Sequence, residues 1–269
     1  MNRTVILGTG SHLPARELTN ADLERLVDTS DEGITTRTGI KCRRQAVRGE
    51  ETSKIAAAAG RKALAMAGVP PAELDLIVVA TMTPDLTMPS SACLVQKELG
   101  AVQSFAFDLN AACSGFLYSL DVADKYIRAN PEMKVLVVGA ENLSARTNWE
   151  DRTTCILFGD GAGAVVLEAS DTPGIHSSHL HADGRHRELL WVPGGVSRGM
   201  SLPENSPYVA MKGSEVFKVA VKTLGNIVDE TLAANQMSKS DIDWLIPHQA
   251  NIRIIQATAK RLGLPMEKV

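Results

Sequence analysis

The sequence predicts an α/β fold built from two related units in tandem. Three observations carry the prediction: short β-branched runs alternate with longer helical patterns, those runs are apolar throughout, as strands buried on both faces are, and one stretch of pattern returns later in the chain. The first run, 4–7, leads into Gly8-Thr9-Gly10. Helical spacing then covers 53–67, a strand 76–80, a helix 90–99, a strand 105–109, a helix 114–130 and a strand 135–138. Two close strands, 155–158 and 164–167, with Gly159 to Gly163 as a tight turn between them, are expected to end the first half. A linker with Asp171, Pro173 and Gly174 leads to a strand carrying Ile175, His179 and His181, and the Gly/Pro-rich stretch 193–207 reads as a surface excursion.

The repetition sets the domain organisation. Residues 69–78 align with 237–246, apolar for apolar and acidic for acidic, and each stretch follows a long helix and enters a strand. Lys97-Glu98-Leu99-Gly100 is echoed by Lys260-Arg261-Leu262-Gly263 at the end of the next helix. The expected units are 1–171 and 172–269. The second stops where the counterpart of the 105–109 strand should begin, so roughly 60 residues of a complete second unit are expected to be missing.

Composition bounds the function. Hydrophobic residues at 44 %, charged residues at 22 % and only 4 % aromatics describe a soluble protein with an aliphatic core, and 28 basic against 31 acidic residues leave no general field for nucleic acid or an anionic membrane. Cys42, Cys93, Cys113 and Cys155 have neither C-x-x-C nor metal-ligand spacing, which fits a reducing, cytoplasmic setting. The N-terminus is too short and glycine-rich for a signal sequence, and no run is long enough to span a membrane.

Two residues stand out chemically. Cys113 falls between a strand and a helix, where the dipole and free N–H groups favour thiolate, and its neighbours Ala111, Ala112, Ser114 and Gly115 are small enough to admit a carbonyl. The backbone N–H of Cys113 is placed to bind the oxyanion that attack creates. A buried structural thiol is the alternative. His248 follows the expected strand 243–246 in Pro247-His248-Gln249-Ala250-Asn251, with Asn251 placed to cap the next helix. Since both fall at strand ends of related units, a pseudo-two-fold is expected to bring them together. Gly159 to Gly163 is discounted as a phosphate loop because a strand follows it, and His176, His179, His181 and His186 are discounted as a metal site because no Cys or carboxylate cluster accompanies them.

Gly8-Thr9-Gly10, Thr35-Thr36-Arg37-Thr38-Gly39-Ile40, Ala111-Ala112-Cys113-Ser114-Gly115, Phe158-Gly159-Asp160-Gly161-Ala162 and Pro247-His248-Gln249-Ala250-Asn251 together resemble β-ketoacyl-acyl-carrier-protein synthase III. The resemblance implies a thiolase-like αβαβα layered fold of two duplicated halves, the second incomplete here, and usually a homodimer. It implies an acyltransferase that condenses acetyl-CoA, or another short acyl-CoA, with malonyl-acyl-carrier protein to start type II fatty-acid synthesis. Cys113 would carry the acyl group and His248 would stabilise the enolate; no metal or redox cofactor is implied. Thr29, Arg37, Thr38, Arg152, Asn251 and Arg253 match positions around the coenzyme A tunnel, and Lys218, Arg253, Lys260 and Arg261 match a basic patch for the acidic carrier protein.

The departures are as informative. The family's catalytic Asn lies on a Gly-Asn-Thr segment beyond the last residue of this chain, together with a glycine-rich segment that completes the oxyanion hole. Gly33 stands where Trp often stacks on the adenine, and Met88 where Phe is common near the acyl pocket. A condensing enzyme of specialised metabolism and a fragment that only binds partners are the competing readings.

Overall fold

The computed structural model describes residues 3–172, 174–198 and 204–269; Pro173 of the expected linker and 199–203 of the expected excursion lie outside the described residues. In chain order the elements are β1 (Arg3–His12), β2 (Arg16–Thr19), α1 (Asn20–Glu24), α2 (Asp31–Thr38), β3 (Cys42–Gln45), α3 (Thr52–Ala67), β4 (Leu76–Ala80), α4 (Ser91–Leu99), β5 (Phe105–Leu109), α5 (Gly115–Ala129), β6 (Val135–Asn142), β7 (Asp160–Ser170), β8 (Leu190–Trp191), β9 (Ala210–Met211), α6 (Gly213–Ala234) and α7 (Ile252–Leu262). The chain divides into two compact units: Met1–Glu17, Arg44–Ser144 and Gly159–Leu180 form the first, and Leu18–Arg43, Ala145–Phe158 and His181–Val269 the second. Among the described residues no helix is long and apolar enough to cross a membrane.

The first unit is a five-stranded sheet in the order β1-β7-β6-β4-β5. β4 runs parallel to β5 and β6, and β7 is antiparallel to β6 and β1. Residues alternate between faces, so Ile77 and Val79 with Leu136 and Val138 pack under α3 and α4, whereas Leu76 and Val78 with Val135 and Val137 pack under α5. Both faces being covered, β4 is buried at every position, which is why its sequence is an unbroken apolar run. β1 lies close against α3: a Cβ on Gly10 would stand 2.2 Å from the Ala59 carbonyl oxygen.

Two expectations at the end of this unit need correction. Residues 155–158 form turns and no strand. The Asp151 carboxylate accepts from the Thr153 N–H and from both threonine hydroxyls, and the Cys155 N–H donates to the Asp151 carbonyl at 3.0 Å, so local bonds bend the chain while Cys155 stays buried. Nor is Gly159 to Gly163 a tight turn, because β7 already begins at Asp160, with Gly161 and Gly163 paired to Glu141 and Gly139. A strand does follow the glycines, so a phosphate loop stays excluded.

In the second unit Leu18, Leu23, Ile34 and Cys155 form the core, with Val27, Ile40, Trp149 and Ile156 against it. Arg43 is buried beside them and donates to the Asn20 side chain and the Ile156 carbonyl, which accounts for its hydrogen-bonding capacity in an apolar setting. Two further expected strands, one at the end of the first unit and one in the second, are not formed. Residues 175–181 have no regular structure, and His179 meets Ser177 Oγ at 2.9 Å while His181 meets Glu230 at 2.9 Å. The 243–246 run is likewise unassigned: Trp244 is 66 % and Ile246 89 % exposed, and Leu245 N–H donates to the Lys268 carbonyl. A strand is made by its partners, and an apolar pattern alone does not supply them.

Candidate active site

Cys113 is delivered by a sharp turn. β5 ends at Leu109, Ala112 adopts φ 45°, a single 3₁₀ turn covers Ala112–Ser114, and α5 starts at Gly115. Left-handed backbone is uncommon for a residue with a Cβ, and here it turns the chain from strand to helix within a few residues. Gly115 is favoured by close approach, since a Cβ on it would lie 3.0 Å from the Ala80 Cβ. The small neighbours leave the Cys113 side chain exposed.

The thiol does not have the ionisation expected of a helix N-terminus. Desolvation pushes the Cys113 pKa up, the negative Glu141 adds to this, and a backbone hydrogen bond opposes it more weakly. Glu141 was not singled out by sequence. Its signal was an acidic residue just past the apolar run 135–138, at the carboxyl end of a parallel strand, where α/β sites gather. Its carboxylate accepts from Met82 N–H at 2.8 Å, from Thr81 Oγ1 at 3.3 Å and from Thr83 Oγ1, and its burial raises its own pKa against those bonds.

His248 belongs to the second unit, on the irregular segment before α7. Desolvation holds its pKa below the ordinary imidazole value, which favours the neutral ring. Asn251 caps α7, its Oδ1 accepting from Arg253 N–H at 2.9 Å.

Of the residues expected around coenzyme A, Thr29, Arg37 and Arg152 line one recess of about 280 Å³, together with Asp28, Ser30, Gly33, Ile34 and Ile156. Arg152 is held there by the Asp28 carbonyl at 2.9 Å and carboxylate at 3.0 Å. Thr38 does not join them: it is buried, and its hydroxyl donates to the Ile34 carbonyl at 2.7 Å, as a threonine in a helix commonly does. Arg253 lies over the Phe217 ring, 5.9 Å from its centre. Of the expected basic patch, Lys218, Arg253, Lys260 and Arg261 are all exposed; Arg261 is also paired with Asp229 of α6 and lines a groove with Val221, Lys222 and Thr258. Among the described residues no group of three or more His, Cys, Asp or Glu is arranged to hold a metal ion.

Comparison with known proteins puts these residues in a family context. Residues 107–184 match the profile 3-Oxoacyl-[acyl-carrier-protein (ACP)] synthase III, and 232–269 match that family's C-terminal profile. Beta-ketoacyl-[acyl-carrier-protein] synthase III of Xanthomonas campestris pv. campestris strain 8004 is 59 % identical over 98 % of this chain and 82 % of its own length. The same-named protein of Thiobacillus denitrificans is 57 % identical over 100 % and 84 %. The crystal structure of 3-oxoacyl-[acyl-carrier-protein] synthase III from Aquifex aeolicus superimposes with a TM-score of 0.92 at 48 % identity, covering 99 % of this chain and 83 % of that one. The priming β-ketosynthase of the R1128 polyketide pathway gives 0.94 at 37 % identity, covering 99 % and 80 %. The fold is thiolase-like.

Proposed function

This chain belongs to the β-ketoacyl-[acyl-carrier-protein] synthase III family, and from that premise we propose that Cys113 takes a short acyl group from coenzyme A for condensation with malonyl-acyl-carrier protein. The observation that supports this reading best is the turn at Ala112, which leaves the Cys113 thiol exposed between small residues at the carboxyl end of a parallel strand. The thiol attacks the thioester carbonyl, its proton leaves with the coenzyme A sulfur, and the Cys113 N–H binds the intermediate oxyanion. Malonyl-acyl-carrier protein then loses carbon dioxide. Its carbanion attacks the acyl-Cys113 thioester, breaking the acyl C–S bond and releasing the Cys113 thiolate, which takes up a proton from solvent, and the neutral His248 ring hydrogen-bonds the enolate oxygen as charge develops. The product is a 3-oxoacyl-carrier protein, the first elongated intermediate of fatty-acid synthesis. Acyl transfer and decarboxylation supply all the bonds made and broken, so the reaction needs no redox couple and no metal.

The Thr29, Arg37 and Arg152 recess suits the phosphates of coenzyme A, since guanidinium groups pair well with phosphate. Lys218, Arg253, Lys260 and Arg261 give an acidic carrier protein an exposed basic face. Association as a homodimer in the cytoplasm completes the reading. The test is to incubate the protein with acetyl-CoA and digest it for mass spectrometry: acetyl is expected on the Cys113 peptide and absent from Cys113→Ala. An unlabelled Cys113 peptide in folded protein would sink the proposal. A panel of acyl-CoA starters, with malonyl-acyl-carrier protein or malonyl-CoA as acceptor, separates fatty-acid initiation from a specialised pathway.

A further inference from the structure

The recess that holds Thr29, Arg37 and Arg152 has two walls from distant parts of the chain: residues 28–37, at and before α2, make one, and Arg152 with Ile156 makes the other. Its width depends on what ties the walls together, and among the described residues the links are of three kinds. Ile34 and Cys155 belong to one apolar cluster, with Ile156 packed against it; such contact is non-directional and fixes no angle. Arg152 reaches Asp28, but the two side chains are 58 % and 98 % exposed, and pairs so exposed hold weakly. The third link is Arg43 of β3, which is 5 % exposed and does not line the recess.

Arg43 reaches both walls at once. Its Nε donates to the Ile156 carbonyl at 3.0 Å, with Nη2 on the same oxygen, and its Nη1 donates to Asn20 Oδ1. A guanidinium has donors only, so it fixes which way the Asn20 amide faces: oxygen to Arg43, nitrogen to α2. There Asn20 Nδ2 lies 2.7 Å from Asp31 Oδ1 in the first turn, 3.3 Å from Thr35 Oγ1 and 2.9 Å from the Ile40 carbonyl oxygen, just beyond the Gly39 cap. The helix is held near both ends, and Arg37 lies between the two holds. Asn20 is 2 % exposed, so bulk water does not replace a partner lost there.

We propose that Arg43 and Asn20 are positioning residues for the coenzyme A recess: the guanidinium, acting through the Asn20 amide, holds the wall that carries Thr29 and Arg37 at a fixed distance from the wall that carries Arg152. The proposal rests on the reading of that recess as the phosphate site. The exposed link is the one a ligand disturbs, because a phosphate on Arg152 competes with the Asp28 carboxylate for the same donors. The buried link takes no part in that exchange, so the walls keep their spacing while Asp28 lets go. Cys113 belongs to the other unit, and the effect of Arg43 and Asn20 falls on binding of the acyl donor and leaves transfer from the bound donor unchanged.

The experiment titrates adenosine 3′,5′-bisphosphate, a fragment of coenzyme A without the thiol arm, into the wild type, Arg43→Lys and Asn20→Asp by calorimetry. Alongside it, acetyl labelling of the Cys113 peptide is followed from acetyl-CoA and from acetyl-pantetheine, a donor with no phosphate. Lysine keeps the charge but lacks the planar fork that spans Ile156 and Asn20, and aspartate keeps an acceptor for Arg43 while removing the amide donors to α2. Both variants should bind the bisphosphate about tenfold more weakly and need about tenfold more acetyl-CoA for half-saturation, with the saturated rate and the rate from acetyl-pantetheine within about twofold of the wild type. A folded variant that binds the bisphosphate as tightly as the wild type overturns the proposal. So does an equal loss of labelling from both donors, which marks a purely structural role, and so does a wild type that does not bind the bisphosphate. Should Arg43→Lys fail to fold, Asn20→Asp decides on the same readings, and thermal melts showing both unfolded overturn the proposal too. The titration needs no acylation of Cys113, so an unlabelled Cys113 and a failure of this proposal are separate results.

Discussion

Ala112 bears the backbone cost of presenting Cys113. At φ 45° its methyl group sits where only glycine is comfortable, so the turn stores strain next to the nucleophile. Ala112→Gly is expected to keep the turn and leave the melting temperature near or slightly above the wild type. Ala112→Val, β-branched in left-handed backbone, should cost about 1–3 kcal/mol and slow Cys113 acylation; calorimetry and acetyl labelling together check it, and a neutral Val variant would show that the turn is not strained. His248 provides a second residue-scale test. Desolvation depresses its folded pKa, so the unfolded chain binds the proton more readily and stability rises with pH across the gap. The contribution is present above about 6.5, the unfolded value, and is lost as pH falls towards the lower folded value. An NMR titration of the ring proton should give a midpoint below that of a free imidazole, and the condensation step should hold its rate as pH drops through the ordinary range. A midpoint at or above 6.5 would contradict both.

Helices α2 and α7 meet at a glycine, and that junction positions two of the residues assigned to coenzyme A. Gly39 ends α2 with φ 78°, donates to the Thr35 carbonyl, and a Cβ on it would lie 2.9 Å from Ile252 Cβ at the start of α7. Arg37 is two residues before Gly39 and Arg253 directly follows Ile252, so a methyl group there pushes apart the helix ends that carry both guanidinium groups. Gly39→Ala should weaken coenzyme A binding by about tenfold, whereas Gly68→Ala, which has the same left-handed backbone but open space around it, should cost only about 1 kcal/mol of stability and leave binding intact. Calorimetric titration of both variants decides it; equal losses of affinity would exclude the junction as the cause. The same scale explains what could be read in advance. β4 and β5 were legible to the residue and α3, α4 and α5 to within a residue or so at either end, because β4 and the helices that cover it keep an unbroken periodicity and β5, although an edge strand, opens on the same kind of apolar run. The 155–158 and 243–246 runs were not, because the first is bent by Asp151 and its threonines and the second has no ladder to join. Cys113 was legible from its small neighbours and following helix. Thr38 was misread because its own helix takes up its hydroxyl, and Glu141 was missed because its significance depends on which face of β6 it occupies.

At the scale of the molecule the open question is the sheet edge. β5 ends the five-stranded order with one row of N–H and C=O groups unmatched within the sheet, and two aromatic side chains meet beside it: Phe105 is 46 % and Tyr126 39 % exposed with ring centres 5.6 Å apart. Proteins guard such edges with charge, proline or a covering element, and β5 has Asp108 as its single charged residue, with both carboxylate oxygens turned to the Ser91 and Ala92 N–H groups at the start of α4. A second copy pairing edge to edge would bury the aromatic cluster and extend the sheet, which is the association proposed above. Light scattering at micromolar concentration should therefore return a dimer for the wild type, and Phe105→Lys, a charge on the edge, should return a monomer; a monomeric wild type would exclude the arrangement. Activity should follow assembly, because β5 leads directly into the turn at Ala112. An edge free to fray lets its last residues move, and a displacement of an ångström at Leu109 is carried through three residues to the Cys113 thiol. The Phe105→Lys monomer should accordingly keep most of its helical content while its acetyl-labelling rate at Cys113 falls by an order of magnitude or more, and full-rate labelling of that monomer would show that the turn needs no neighbour to hold it.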